Sequence, residues 1–282
     1  MKKLILSVSV LSVLGISFKL GTAQEPDKNK TEQTTTESSA TSTASTFASA
    51  EAYIKNLYSQ IDFGGEKKLA YDVFEKAYKG YVNLRNAGKL NADKDILTIV
   101  DFSKSSTEER LWVINLGVKK LVFNDYVAHG QGSGSEYAKA FSNTTNSHQS
   151  SLGFYVTAET YHGKHGLSLR MHGMDEGFNS AAYSRAVVVH GADYVSKSFI
   201  NGQGRLGRSW GCPAVSRDLA PKLINLIKDR TVMFVYAPQE KYLASSQWLN
   251  KKIDRVEDVV LERANTSNAT ATNGATKTIA AF

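Results

Sequence analysis

Between Glu66 and Gly88, large apolar residues recur at Leu69, Val73, Ala77, Tyr78, Tyr81 and Leu84. Intervals of three and four put them on one face of an α-helix, and Gly88 stands where a C-terminal cap belongs. Further along, the pattern changes to short runs rich in Val, Ile, Leu and aromatics. These are Ile96–Phe102, Leu111–Leu116, Leu121–Val127, Phe154–Ala158, Leu167–Met171, Ala186–Val189 and Val232–Tyr236. Such runs, separated by turns, predict strands of a mainly β domain, sandwich or barrel-like, with flanking helices. One helix is predicted among them, over Leu219–Lys228. Asp218 is its expected N-cap and Pro221 its third residue, where the missing N–H leaves no bond unmade.

The two ends lack this patterning. Residues 24–50 are rich in Thr, Ser, Ala and Gln with almost no large apolar side chains, and residues 265–282 repeat that composition. Neither buries enough surface to offset chain entropy, so both are expected to be disordered. Ahead of the first tract stand Lys2 and Lys3, an apolar run from Leu4 to Phe18, and Gly21-Thr22-Ala23. This is the layout of a secretory signal peptide cut after Ala23, with an uncleaved anchor as the alternative. Export to the periplasm or cell envelope is the corresponding expectation, with no stable membrane insertion once the leader is removed. The expected organisation is thus a leader (1–23), a linker (24–50), a domain with its N-terminal helix (51–240), an extension (241–264) and a tail (265–282).

Composition narrows the partners. The chain has 282 residues, 41% hydrophobic and 22% charged, as a soluble globular protein has. Lys2, Lys3 and Lys19 lie in the leader, so about +4 of the formal +7 remains in the mature chain. A mild positive excess suits an anionic polymer such as the cell wall. No dense Lys/Arg stripe with interleaved aromatics is present, which argues against nucleic acid.

The single cysteine, Cys212, cannot form an internal disulfide. Its thiol is either a small buried hydrophobe or a reactive group, and an idle exposed thiol is a liability in an oxidising compartment. His190 ends an apolar run, 22 residues before Cys212, and an imidazole is the usual means of deprotonating a thiol. That spacing alone says little. The surroundings add to it: Gly191, Gly202, Gly204, Gly207 and Gly211 make this stretch a loop with exposed backbone. The successive amides of Trp210, Gly211 and Cys212 are candidates for an oxyanion hole. Arg205 and Arg208 are candidates for lowering the thiol pKa or holding a substrate carboxylate. Tyr155, Tyr161 and Tyr183 read equally well as core or as cleft wall. His162, His165 and His172 lie close in sequence, but no Cys or carboxylate completes a metal-ligand spacing, so neither a metal nor a cofactor is expected.

The order His190-Gly191, a Gly-rich loop, then Ser209-Trp210-Gly211-Cys212-Pro213-Ala214 resembles the murein L,D-transpeptidase catalytic domain of the YkuD-like superfamily, in its Ser-Trp-Gly-Cys-Pro-Ala branch. The likeness extends over Leu97–Ser103, Arg110–Ile114, Val127–Gly130, Phe141–Asn143, Ser150–Val156, Gly163–Leu169, Gly177–Asn179 and Arg185–Ala192, roughly residues 50–240. It implies the transpeptidase-like fold and a cysteine acyltransferase acting on peptidoglycan stem peptides. Cys212 is then the nucleophile and His190 its base. The Gly191 carbonyl orients the imidazole, Ser209 supports the loop, and the Trp210, Gly211 and Cys212 amides bind the oxyanion. His165 and Tyr155 are expected, with Arg205 and Arg208, on the substrate side. Two positions depart from the wider superfamily, which has a second His where this chain has Trp210 and an Arg where it has Ala214. The competing readings are a thiol peptidase of other specificity and a wall-peptide binding module without turnover.

Overall fold

The computed structural model describes residues 48–253. The leader, nearly all of the Thr/Ser tract and the C-terminal tail lie outside them. Two helices come first, α1 (Ala50–Ser59) and α2 (Tyr71–Asn86). The sequence pattern had not set α1 apart. It begins where the Ser49 hydroxyl accepts the Ala52 N–H at 3.2 Å, a side-chain cap. All six positions of the predicted α2 stripe are buried. The helix ends in two reversing bonds, Gly88 N–H to Arg85 O and Lys89 N–H to Leu84 O, with Gly88 at φ +66°. Gly80 lets α2 lie directly on the sheet, since a Cβ there would stand 1.9 Å from the Phe154 ring.

The strands are β1 (Ile96–Asp101), β2 (Leu111–Asn115), β3 (Lys120–Asp125), β4 (Gly153–Gly163), β5 (Gly166–Gly173), β6 (Val188–Gly191), β7 (Ala214–Val215) and β8 (Val232–Tyr236). They form one eight-stranded mixed sheet in the order β3-β2-β1-β8-β4-β5-β6-β7. Every residue of β1 and β8 is buried, so the sheet centre is covered on both faces, and their parallel pairing explains the continuous apolar runs. This mixed α/β architecture agrees with the expected class. The two-residue β7 is too short to leave a periodic signal.

Helix α3 (Lys197–Gln203) and helix α4 (Ala220–Ile227) follow β6 and β7. Asp218 is not the cap of α4. Leu219 takes that place without a side-chain bond, and Pro221 is the second helical residue. The chain also stays packed beyond residue 240, the expected domain boundary. Helices α5 (Glu240–Ser245) and α6 (Gln247–Asn250) dock through buried Tyr242 and Trp248. The Trp248 indole N–H donates to Met174 O at 2.7 Å, and the Ser246 hydroxyl donates to Asp175.

Candidate active site

At one edge of the sheet, β6 runs parallel to β7 with His190 opposite Ala214. Two residues back, in the turn that leads into β7, Cys212 lies beside Val188, on the strand that carries the imidazole. The thiol is half-buried. Its sulfur accepts the Val188 N–H at 3.4 Å and faces Ala186 O at 3.7 Å. Burial pushes the thiol pKa up, while the Val188 N–H and the Arg185 guanidinium act the other way.

His190 is 3% exposed. Its Nδ1 lies 3.1 Å from Gly191 O. A carbonyl only accepts, so Nδ1 carries the proton and Nε2 is left with its lone pair. Burial moves this imidazole below its ordinary pKa of 6.5, and the nearby His165, Lys164 and Arg217 add to the effect against the Gly191 bond. The His165 ring covers that of His190 with centroids 4.4 Å apart, so the hairpin turn between β4 and β5 borders the site.

The turn carrying Cys212 is built from short backbone contacts. The Ser209 hydroxyl accepts the Gly211 N–H at 3.0 Å and donates to Cys212 O at 2.6 Å. The Gly211 amide is therefore already used and does not belong to an oxyanion hole in this conformation. The Trp210 amide meets no acceptor among the described residues, and the Cys212 N–H faces its own sulfur, so these two remain as candidate donors. Segment 128–150 supports the turn through bridges Ala128–Ala214 and Gly130–Ser209, and through the Ser150 hydroxyl, which donates to Gly211 O at 3.1 Å. Gly211 has φ +117°, and a Cβ there would stand 2.6 Å from Gln149 O. Gly211→Ala is therefore expected to lower stability by about 1–3 kcal/mol through backbone strain and to slow alkylation of Cys212. Thermal melting and iodoacetamide kinetics check this, and native values in both would remove the need for glycine.

Under the turn, Arg110 and His129 are both fully buried. Arg110 donates to Val127 O and, at 2.8 Å, to His129 Nδ1. A guanidinium has no acceptor, so His129 must be neutral at Nδ1. Burial is the largest cause in both cases, lowering His129 to about 4 and Arg110 to about 9. The His129 carbonyl accepts the Ser209 N–H at 3.0 Å, which ties the Cys212 loop to this buried pair. The His148 ring stacks on Trp210 at 4.7 Å, and Trp210 stays 70% exposed.

Several expected substrate contacts fall elsewhere. Tyr155 is 1% exposed and donates its hydroxyl to Ser151 O, so it is a core residue. Arg205 donates to Leu206 O and Arg208 to Gly134 O. The guanidinium found against the Gly211 turn is that of Arg185. Tyr183 and His172 stack on each other at 4.5 Å, away from His190's stacking partner His165. No group of three His, Cys, Asp or Glu able to hold a metal occurs among the described residues.

The sheet and the groups gathered at its edge define a mixed α/β domain with a thiol on the turn before β7 and an imidazole on the neighbouring strand β6. Residues 65–236 match the L,D-transpeptidase catalytic domain, and the chain belongs to that family. Among solved structures it is similar to an L,D-transpeptidase from Mycobacterium smegmatis, at 13% identity and a TM-score of 0.32, covering 51% of this chain and 59% of that one. It is also similar to the helical cell shape determining protein Pgp2 from Campylobacter jejuni, at 14% identity and a TM-score of 0.35, covering 65% of this chain and 59% of that one. Bd1075 from Bdellovibrio bacteriovorus is a third, at 17% identity and a TM-score of 0.33, covering 51% and 48%. The match thus spans about three fifths of the first two of these proteins and about half of the third. No curated protein sequence matches the chain.

Proposed function

We propose that this protein is an exported cysteine L,D-transpeptidase of peptidoglycan stem peptides. The observation that carries the reading is the placement of the lone thiol, in a chain of this family, beside a strand whose His190 presents a free Nε2. Burial raises the thiol and lowers the imidazole, which favours the neutral pair.

In the proposed reaction, Sγ of Cys212 attacks the carbonyl between the third and fourth residues of a tetrapeptide stem as His190 Nε2 takes the thiol proton. The tetrahedral oxyanion is met by the Trp210 and Cys212 amides. The C–N bond then breaks, the terminal D-alanine leaves with the proton from His190, and a thioester remains. An amine from a neighbouring stem attacks it, gives up a proton to His190, and releases the thiol with a 3→3 cross-link formed. Water in that place makes a carboxypeptidase, and a free D-amino acid makes an exchange reaction. Incubating the protein with purified tetrapeptide muropeptides and resolving products by mass spectrometry tests the reading. Cross-linked dimers or exchanged stems support it. Unchanged muropeptides with hydrolysis of unrelated peptides would favour a general thiol peptidase instead.

Export rests on the order of residues 1–23, which lie outside the described residues. Native protein is expected to begin near Gln24 and to be found outside the cytoplasm. Mass analysis showing an intact Met1 in the cytoplasmic fraction would defeat this.

A further inference from the structure

Arg185 precedes Ala186, which adopts φ +54°, a left-handed conformation uncommon for a residue with a side chain. The bend directs Ala186 O and the Val188 N–H onto the sulfur of Cys212, at 3.7 and 3.4 Å. The same bend sends the Arg185 side chain behind the Gly211 turn. Its Nη2 lies 3.7 Å from the point where a Gly211 Cβ would stand, so the missing side chain leaves the guanidinium close against the peptide that leads into Cys212.

The partners of Arg185 are all neutral. Nη1 donates to Ser142 O at 2.8 Å and to Ser151 Oγ at 2.5 Å, and Nη2 donates to Gln149 O at 2.9 Å and to Ser147 Oγ at 3.2 Å. Among the described residues, no carboxylate comes within ion-pair distance of it. Other cations at this edge differ. Arg217 is paired with Asp193 through two bonds, and Lys164, on the β4–β5 hairpin, lies over the Trp210 ring at 5.9 Å. Four fixed acceptors hold the Arg185 charge in place without cancelling it. Half-buried against the residue that precedes Cys212, it is weakly screened towards the thiol.

We propose that Arg185 is a positioning residue that stabilises the thiolate of Cys212 by an uncompensated, geometrically fixed positive charge. The titratable and charged groups around the site are then Arg185 from the turn before β6, His190 on β6 and Tyr194 after it. His190 is in turn faced by His165 and Lys164 from the β4–β5 hairpin and by Arg217 after β7. Of the cations, Arg185 is the one lodged against the Gly211 turn that leads into Cys212. The alternative is a purely mechanical clamp, in which the four hydrogen bonds hold segment 142–151 against Gly211 and the charge is incidental.

The inference deepens the thiol chemistry proposed above, but alkylation reads it without wall peptide, so either can fail alone. Cys212 is the only cysteine, and iodoacetamide alkylation of the whole chain therefore reports its thiolate directly across pH. Arg185→Gln is expected to raise the midpoint of that profile by about one pH unit, within the range for loss of a nearby opposite charge. Alkylation near neutral pH then slows about tenfold. Arg185→Lys, which keeps the charge, is expected to return the midpoint most of the way. An unchanged midpoint in a natively folded Arg185→Gln variant overturns the proposal, as does Arg185→Lys behaving like Arg185→Gln. If Arg185→Gln does not fold, Arg185→Lys decides: a midpoint near the native one supports the charge, and a midpoint raised by a full unit overturns it.

Discussion

Cys212→Ser is expected to abolish turnover of stem peptides while leaving the fold intact. The oxygen is smaller than sulfur but takes the same place, facing the Val188 N–H and Ala186 O, so packing at the β6–β7 edge changes little. Chemistry changes far more. A serine hydroxyl is much harder to ionise at neutral pH than a thiol, and the site lacks the features that would offset this. His190 is held below its ordinary pKa, which makes it a weaker base towards an alcohol. No carboxylate accepts the His190 Nδ1 proton, since the neutral Gly191 carbonyl does so. Product analysis on muropeptides, with circular dichroism as the control for folding, reads the outcome. Turnover within about tenfold of the native rate in a folded variant would be too small a loss for the proposed nucleophile and would sink the assignment.

His190→Ala is expected to slow acylation of Cys212 by a carbapenem on the order of 10²–10⁴-fold, the range for loss of a general acid–base group. The sign of the pH dependence follows from the imidazole. It serves as a base only when neutral, and burial keeps its pKa below 6.5. In the native protein the acylation rate should therefore fall only as pH drops beneath that ordinary value, and His190→Ala should lose this acid limb. Trp210→His makes the contrast. The indole N–H is donor only, so the native residue takes no part in base chemistry. Its ring is 70% exposed and rests on His148, while its backbone amide faces no protein acceptor among the described residues. A second imidazole there should leave Cys212 reactive. Native acylation rates in His190→Ala across pH would misassign the base, and His165, stacked on His190, would be the next to replace.

The chain's own patterning determined the elements whose periodicity is long enough to read. The α2 stripe from Leu69 to Leu84 has only one amphipathic solution, and runs such as Ile96–Phe102 and Val232–Tyr236 are too apolar and too short for anything but covered strands. The conjunction of His190, Gly191 and the Ser209–Ala214 stretch was legible for a similar reason. One thiol and few imidazoles leave few pairings to consider, and the residues lie close in sequence. Tertiary structure alone decided which further groups meet them. Arg185, not Arg205 or Arg208, lies against the turn before Cys212, next to Ala186 at positive φ, a bend that residue type does not announce. Tyr155 went to the core because β4 lies between β8 and β5, and its neighbours across the sheet are far away in sequence. The Gly211 amide went to Ser209 instead of to an oxyanion, a choice made by a turn whose shape depends on Gln149 and Ser150 across from it. Loops rich in glycine carry no period, so their hydrogen bonds are set by the long-range contacts that surround them and not by the order of their own residues.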